Sequence, residues 1–254
     1  MAVVAALLSP IAWQLRCARS ESQFLESLAR SEIACNVQRS ISRFGKPSRV
    51  TSVSCFFPDN LPHDFLSNVT QFSYLNSIQL IGSDIGPAYF CDISINKNIH
   101  SLQAQMCRRL DDKCLARICD TMPSLAALNI SSTAVTDAGV WHISKLHNLE
   151  ELDLSRTQIT GVHLSQIVQN CPKIRKLNLQ RSRLNDAGTD ALKDCQSLEI
   201  LNIAWTDLTD QGITRLALLP QLRSLTVWKN PMSHSTAEKL KHALPNTTVT
   251  IGPY

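Results

Sequence analysis

The stretch LEILNIAWTDLTDQG, Leu198–Gly212, decides the fold because it recurs. LAALNISSTAVTDAG begins at Leu125, LEELDLSRTQITGVH at Leu149, IRKLNLQRSRLNDAG at Ile174 and LRSLTVWKNPM at Leu222. The starts lie 24, 25, 24 and 24 residues apart. Weaker copies keep phase upstream, at Val50, Leu75 and Ile99, and TTVTI from Thr247 reads as a last partial copy. A fixed period of roughly 20–29 residues with L-x-x-L-x-L content marks a stack of like units.

One unit explains itself. L-x-x-L-x-L alternates, so Leu149, Leu152 and Leu154 face inward and the residues between face out. The ninth position holds Thr133, Thr157, Ser182, Thr206 and Asn230, short polar groups able to bond backbone where the strand ends. An inward Val135, Ile159, Leu184 or Leu208 follows. Thr136, Asn185 and Thr209 then open T-D-x-G or N-D-x-G and read as helix N-caps. Thr160 opens T-G-V-H instead, and its helix start is expected to be poorly capped. Two helix columns point back at the core: Cys119, Ile143, Val168, Leu192 and Leu216, then Met122, Leu146, Cys171, Cys195, Leu219 and Leu244. No unit can bury its apolar face alone, so stacking is obligatory.

The repeats resemble leucine-rich repeats, and most closely the cysteine-containing type. Cys171-Pro172-Lys173-Ile174 through Leu179 matches C-P-x-[LI]-x-x-L-x-L, and Thr133–Gly139 and Thr206–Gly212 match T-x-[VIL]-T-D-x-G. The resemblance covers about Val50 to Ile251, most clearly from Leu125 onward. It implies an α/β right-handed solenoid, with a parallel sheet on the concave face and helices on the convex face. Such repeats occur in F-box substrate receptors of ubiquitin ligases and in many bacterial leucine-rich proteins. LPHDFLSNVTQF, from Leu61, opens faintly like an F-box, but the repeat at Leu75 leaves no room for a three-helix domain.

The rest of the chain bounds the function. The net charge of +4 over 254 residues does not argue for nucleic acid. Nine cysteines without CxxC or zinc spacing read as free thiols; Cys55, Cys119, Cys171 and Cys195 replace core Leu, Ile, Val or Met. Residues 1–19 form an apolar segment, MAVVAALLSPIAW followed by Arg16 and Arg19, short for a membrane span. A docked segment, a short anchor and a signal peptide are the readings it leaves open. Residues 20–47 are expected to form a capping helix, from Ser20-x-x-Gln23 and the helical spacing of Ile33, Val37, Ile41 and Phe44. It would cover the open edge of the first strand, with the repeat domain over 48–254.

No catalytic or nucleotide-binding motif occurs, so no cofactor, metal or enzymatic activity is expected. Glu151 and Asp153 share one outward face and are expected to enter a salt-bridge cluster with Arg175, Lys176 and Arg181. The seventh outward column reads Ser131, Ser155, Gln180, Ala204, Trp228, and the eighth Ser132, Arg156, Arg181, Trp205, Lys229. Trp and Arg are enriched in binding hot spots. Arg156, Arg181, Trp205, Trp228 and Lys229 are therefore the candidate contacts for a protein partner, with local packing as the competing reading. The expected function is a monomeric, non-catalytic scaffold in the cytoplasm that binds a protein partner through its concave face. A ubiquitin-ligase adaptor, by resemblance, and a module tethered to a membrane through residues 1–19 are the alternatives.

Overall fold

The computed structural model describes residues 21–24, 26, 35–39, 50–56, 61–219 and 221–252. Among the described residues ten strands form one sheet in strict chain order: β1 (Cys35–Arg39), β2 (Val50–Phe56), β3 (Ser77–Ile81), β4 (Ser101–Gln103), β5 (Ala127–Asn129), β6 (Glu151–Asp153), β7 (Lys176–Asn178), β8 (Ile200–Asn202), β9 (Ser224–Thr226) and β10 (Thr248–Thr250). From β2 to β10 every pairing is parallel and keeps one register, with Leu128, Leu152, Leu177, Leu201 and Leu225 side by side. The return segments hold helices α1 (Phe65–Val69), α2 (Asp112–Thr121), α3 (Asp137–Val140), α4 (Leu164–Asn170), α5 (Asp186–Leu192), α6 (Asp210–Arg215) and α7 (His234–Ala243), with single 3₁₀ turns between some of them. Both helix columns are buried from Cys119 to Leu244, as are the inward strand residues. The fold is a leucine-rich repeat solenoid of the α/β horseshoe type.

A hydrogen-bond ladder between repeats gives T-D-x-G its meaning. Thr136, Asn185 and Thr209 are the N-caps of α3, α5 and α6, each accepting a backbone N–H two residues on. The Asp that follows one cap reaches forward to the next repeat. Asp186 accepts from the Thr209 N–H at 2.9 Å and from Thr209 Oγ1 at 2.5 Å. Asp137 does the same for Thr160, and Asp112 for Thr136. The motif Gly lies against the Asp of the preceding rung: Gly139 on Asp112 and Gly212 on Asp186. Where Gly161 replaces the Asp, the ladder skips a rung. His163 heads α4 with no side-chain cap, and Asn185 N–H reaches only the Thr160 carbonyl, at 3.3 Å. The ninth-position hydroxyls bond the carbonyl three residues back, at 2.6 Å for Thr133, 2.7 Å for Ser182 and 3.0 Å for Thr206.

The ends differ from the sequence expectation. Residues 21–24 are helical, and Phe24 meets the rings of Phe65 and Phe72, both at 5.9 Å. Within the expected helix, Cys35–Arg39 form a strand instead: β1 pairs antiparallel with β2, Val37 opposite Val53. Of the other residues behind that expectation, Ser20, Ile33, Ile41 and Phe44 lie outside the described residues. An open sheet edge carries unpaired N–H and C=O groups that another strand satisfies and a helix side does not. Cys55, expected as a free core thiol, is buried and disulfide-bonded, and the residue across from it in the register is Cys35. Cys91, Cys107, Cys114, Cys119, Cys171 and Cys195 are free. At the other end β10 sits one residue off the expected frame: Thr248, not Val249, pairs with Ser224. That register points Val249 and Ile251 at the core, which a one-residue slip would reverse. The apolar segment 1–19 lies outside the described residues. Among the described residues no helix is long and apolar enough to cross a membrane.

Candidate interaction surface

The outward side chains of the middle strands line a shallow depression of about 320 Å³ on the concave face. Its polar groups are mostly engaged. Lys176 Nζ meets Glu151 Oε1 at 2.6 Å. Asn178 Nδ2 donates to Asp153 Oδ2 at 2.9 Å. The fifth column, Asn129, Asp153, Asn178 and Asn202, accepts the backbone N–H two residues on, at 2.9–3.2 Å. Those side chains end the strands. The expected cluster around Glu151 and Asp153 is therefore dispersed. Lys176 takes Glu151, Arg175 pairs instead with Glu199 at 2.7 Å, and Arg181 turns to an indole. Glu151 and Asp153 thus each have a partner of their own. Among the described residues no group of three or more His, Cys, Asp or Glu could hold a metal ion.

The eighth column is different. Met106, Ser132, Arg156, Arg181, Trp205 and Lys229 all sit in the left-handed region, with φ between 56° and 64°; Gly82 holds the equivalent place in β3's repeat at φ 67°. Periodicity alone does not reveal this. The cause is the ladder of backbone bonds. From Gly82 to Trp205 the N–H of each eighth residue donates to the seventh-residue carbonyl of the next repeat: Arg156 to Gln180 at 2.8 Å, Arg181 to Ala204 and Trp205 to Trp228, both at 2.9 Å. The left-handed turn throws the eighth side chain out onto the rim where the strands end. It costs a non-glycine residue on the order of 1–2 kcal/mol.

On that rim the structure assembles four of the five candidate residues. Arg181 Cζ lies 5.0 Å from the Trp205 ring centre, and Lys229 Nζ lies 5.9 Å from it and 5.8 Å from that of Trp228. The two indoles meet edge to face at 5.9 Å and 80°. Arg156 occupies the same column one repeat before Arg181 and is exposed. Trp205 is 40% exposed. Trp228 is half-buried behind it; its pyrrole edge lies so close to Gly252 that a Cβ there would overlap Trp228 Cδ1 and Nε1. The Trp228 Nε1–H is buried without a hydrogen-bond partner. Trp205 is thus the displayed ring and Trp228 its support. Local packing and display coexist here: the cations stack on the rings, and the cluster still faces solvent.

A parallel solenoid whose units end in this hydrogen-bonded turn defines the class of leucine-rich repeat proteins. Residues 88–189 match the family model described as the leucine-rich repeats of FBD-associated F-box protein At5g56370, and residues 194–217 match a model described as a leucine-rich repeat. The chain is a leucine-rich repeat protein. No curated protein matches it. Among solved structures it is similar to an internalin from Listeria monocytogenes, with TM-score 0.57 and 15% identity over 78% of this chain and 58% of that one. A leucine-rich repeat protein of Leptospira interrogans gives TM-score 0.56 and 19% identity, over 72% and 45%. The ectodomain of the Arabidopsis thaliana receptor kinase GASSHO1/SCHENGEN3, solved with CASPARIAN STRIP INTEGRITY FACTOR 2, gives TM-score 0.51 and 15% identity, over 85% and 25%. The chain spans less than two thirds of each of these proteins, and the likeness is one of fold.

Proposed function

We propose that the chain is a non-catalytic scaffold that binds a protein partner along the rim where β6 to β9 end. Arg156, Arg181, Trp205 and Lys229 are the contacts, and Trp228 holds Trp205 in place. One observation carries the reading. The left-handed position is cheapest for Gly or Asn, yet four successive repeats fill it with Arg, Arg, Trp and Lys. Large side chains at a strained backbone position are a reason to look for function there. The solved complex of the plant ectodomain supports a protein ligand as the general class. Affinity capture from the native source identifies the partner, and Trp205→Ala and Trp228→Ala are then compared with the parent chain at matched circular dichroism. A hot-spot loss of about 2 kcal/mol cuts affinity roughly thirtyfold. Unchanged recovery with both variants refutes the reading.

The match of residues 88–189 to repeats of an F-box protein favours a second reading, a substrate adaptor of a ubiquitin ligase. Co-purification of the intact chain with a ligase core tests it, and repeated failure in reciprocal captures ends it.

A further inference from the structure

We infer that the partner presents an acidic, extended segment laid across the repeats of this rim, with carboxylates four residues apart. The inference rests on the reading that the rim is an interaction surface, and it adds the chemistry of what binds.

The two edges of the sheet differ in how their cations are matched. Where the strands begin, cations are neutralised within the chain: Arg175 and Arg223 share Glu199, at 2.7 and 3.7 Å. On the concave face Lys176 has Glu151. On the helix side Lys145 has Asp120 and Arg215 has Asp190, at 2.6 and 3.0 Å. Where the strands end, Arg156, Arg181 and Lys229 are exposed, and among the described residues no carboxylate lies within 4.0 Å of any of them. The seventh to ninth positions of these four repeats read SRT, QRS, AWT and WKN, without an acid. Asp153, on the concave face in the strand that leads to Arg156, is held by the Ser155 N–H and Asn178. Asp207 is exposed one position beyond the rim, beside Arg183 in its column. The result is a row of three cations around an indole with no carboxylate within 4.0 Å among the described residues, whereas Arg175 and Arg223, in the row where the strands begin, share Glu199.

Geometry sets the length of the ligand. Strands lie about 4.8 Å apart, so Arg156 and Lys229, three repeats apart, are separated by about 14 Å. An extended chain rises about 3.3 Å per residue and shows alternate side chains to one face. Residues i and i+4 then reach the two ends of the row, and i+2 lies between Arg181 and Trp205. A peptide is favoured over a nucleic acid by the rings themselves. Arg181 and Lys229 already lie against Trp205, where a stacked base would compete with them, and the net charge of +4 gives no wider basic field for a phosphate backbone.

The test is a random peptide display library selected against the full chain at low salt, followed by anisotropy titration of the leading peptide. Asp or Glu enriched at i and i+4 is expected. Affinity should fall about tenfold or more in the Arg181→Gln/Lys229→Gln double variant and again as salt rises, and should be unchanged in Arg175→Gln. Each variant is first matched to the parent in thermal midpoint. Enriched peptides without acids that still depend on Trp205 overturn the acidic segment and leave the interaction surface standing. Peptides indifferent to both the double variant and Trp205→Ala overturn both. Tighter binding of a labelled oligonucleotide through the same cations overturns the peptide assignment.

Discussion

Gly139→Ala reverses a familiar rule in this protein. Within a helix the change ordinarily gains up to about 1 kcal/mol. Gly139 is buried in the first turn of α3, and there a Cβ would fall 2.8 Å from Asp112 Cα and 2.9 Å from Asp112 Cβ. Comfortable carbon–carbon separation is about 3.5–4.0 Å, so one repeat must move by most of an ångström. Asp112 cannot give way alone, because it is backbone at the start of α2 and its carboxylate holds the Thr136 N–H at 2.8 Å and Thr136 Oγ1 at 2.7 Å. Overpacking costs about 1–3 kcal/mol, and straining hydrogen bonds to a charged acceptor adds about 1.5 kcal/mol or more. A net loss of about 2–4 kcal/mol follows, or roughly 5–12 °C in melting temperature for a chain of this size. Circular dichroism melts and urea titration measure it. The double-mutant cycle with Asp112→Ala should show coupling above about 1 kcal/mol, since that change removes the carboxylate from the contact. A Gly139→Ala protein that melts at or above the parent refutes the packing argument and the role given to T-D-x-G.

Three further outcomes follow from the same geometry. Restoring the repeat pattern with Gly161→Asp should destabilise the chain: Gly161 stands at φ +94°, and a Cβ there would lie 3.0 Å from Gly188 Cα, so a gain in urea midpoint would contradict the account of the missing rung. Brief iodoacetamide treatment at pH 8, read by mass spectrometry, should label the exposed Cys91 well before the other free described thiols. Burial raises Cys114 to about 12 and Cys171 to about 11, leaving on the order of one thiolate in a thousand or fewer, so early modification of Cys171 would show that its repeat opens. Burial, and then Lys145, lower the pKa of His142, whose ring stacks on Trp141 at 3.9 Å and whose Nδ1 has no partner. The unfolded chain then binds the proton more readily, so this group's contribution is complete above its ordinary value of about 6.5 and declines as pH falls below it. The ring resonances of His142 in an NMR titration should move below pH 6.5, and a midpoint above that value would reverse the sign.

The period, the α/β solenoid and both core columns were legible because each rests on local chemistry repeated many times. Leu at fixed offsets can only be buried by a neighbour with the same offsets. The N-caps Thr136, Asn185 and Thr209, and the weak start after Thr160, were legible for the same reason, since capping depends on residues adjacent in sequence. The cap at the first edge was not. Ile33, Val37 and Ile41 satisfy helical spacing, but the unpaired edge of β2 favours a strand over Cys35–Arg39, and that demand comes from a partner elsewhere in the chain. The disulfide at Cys55 was hidden for a related reason: its column holds ordinary core residues in every other repeat.

The candidate surface divides along the same line. The sequence by itself determined which residues face out and that Arg156, Arg181, Trp205 and Lys229 share a column, because alternation and period are properties of the chain order. Only the tertiary structure decided the rest. Asp186 and Gly212 became one rung because neighbouring repeats touch there. The eighth residues from Gly82 to Trp205 turned left-handed with their N–H groups on carbonyls of the next repeat. Trp205 came to be displayed and Trp228 half-buried because one has solvent beside it and the other has Gly252. Those choices belong to the contact between repeats, where a hydrogen bond or a ring face is satisfied by a residue some two dozen positions away.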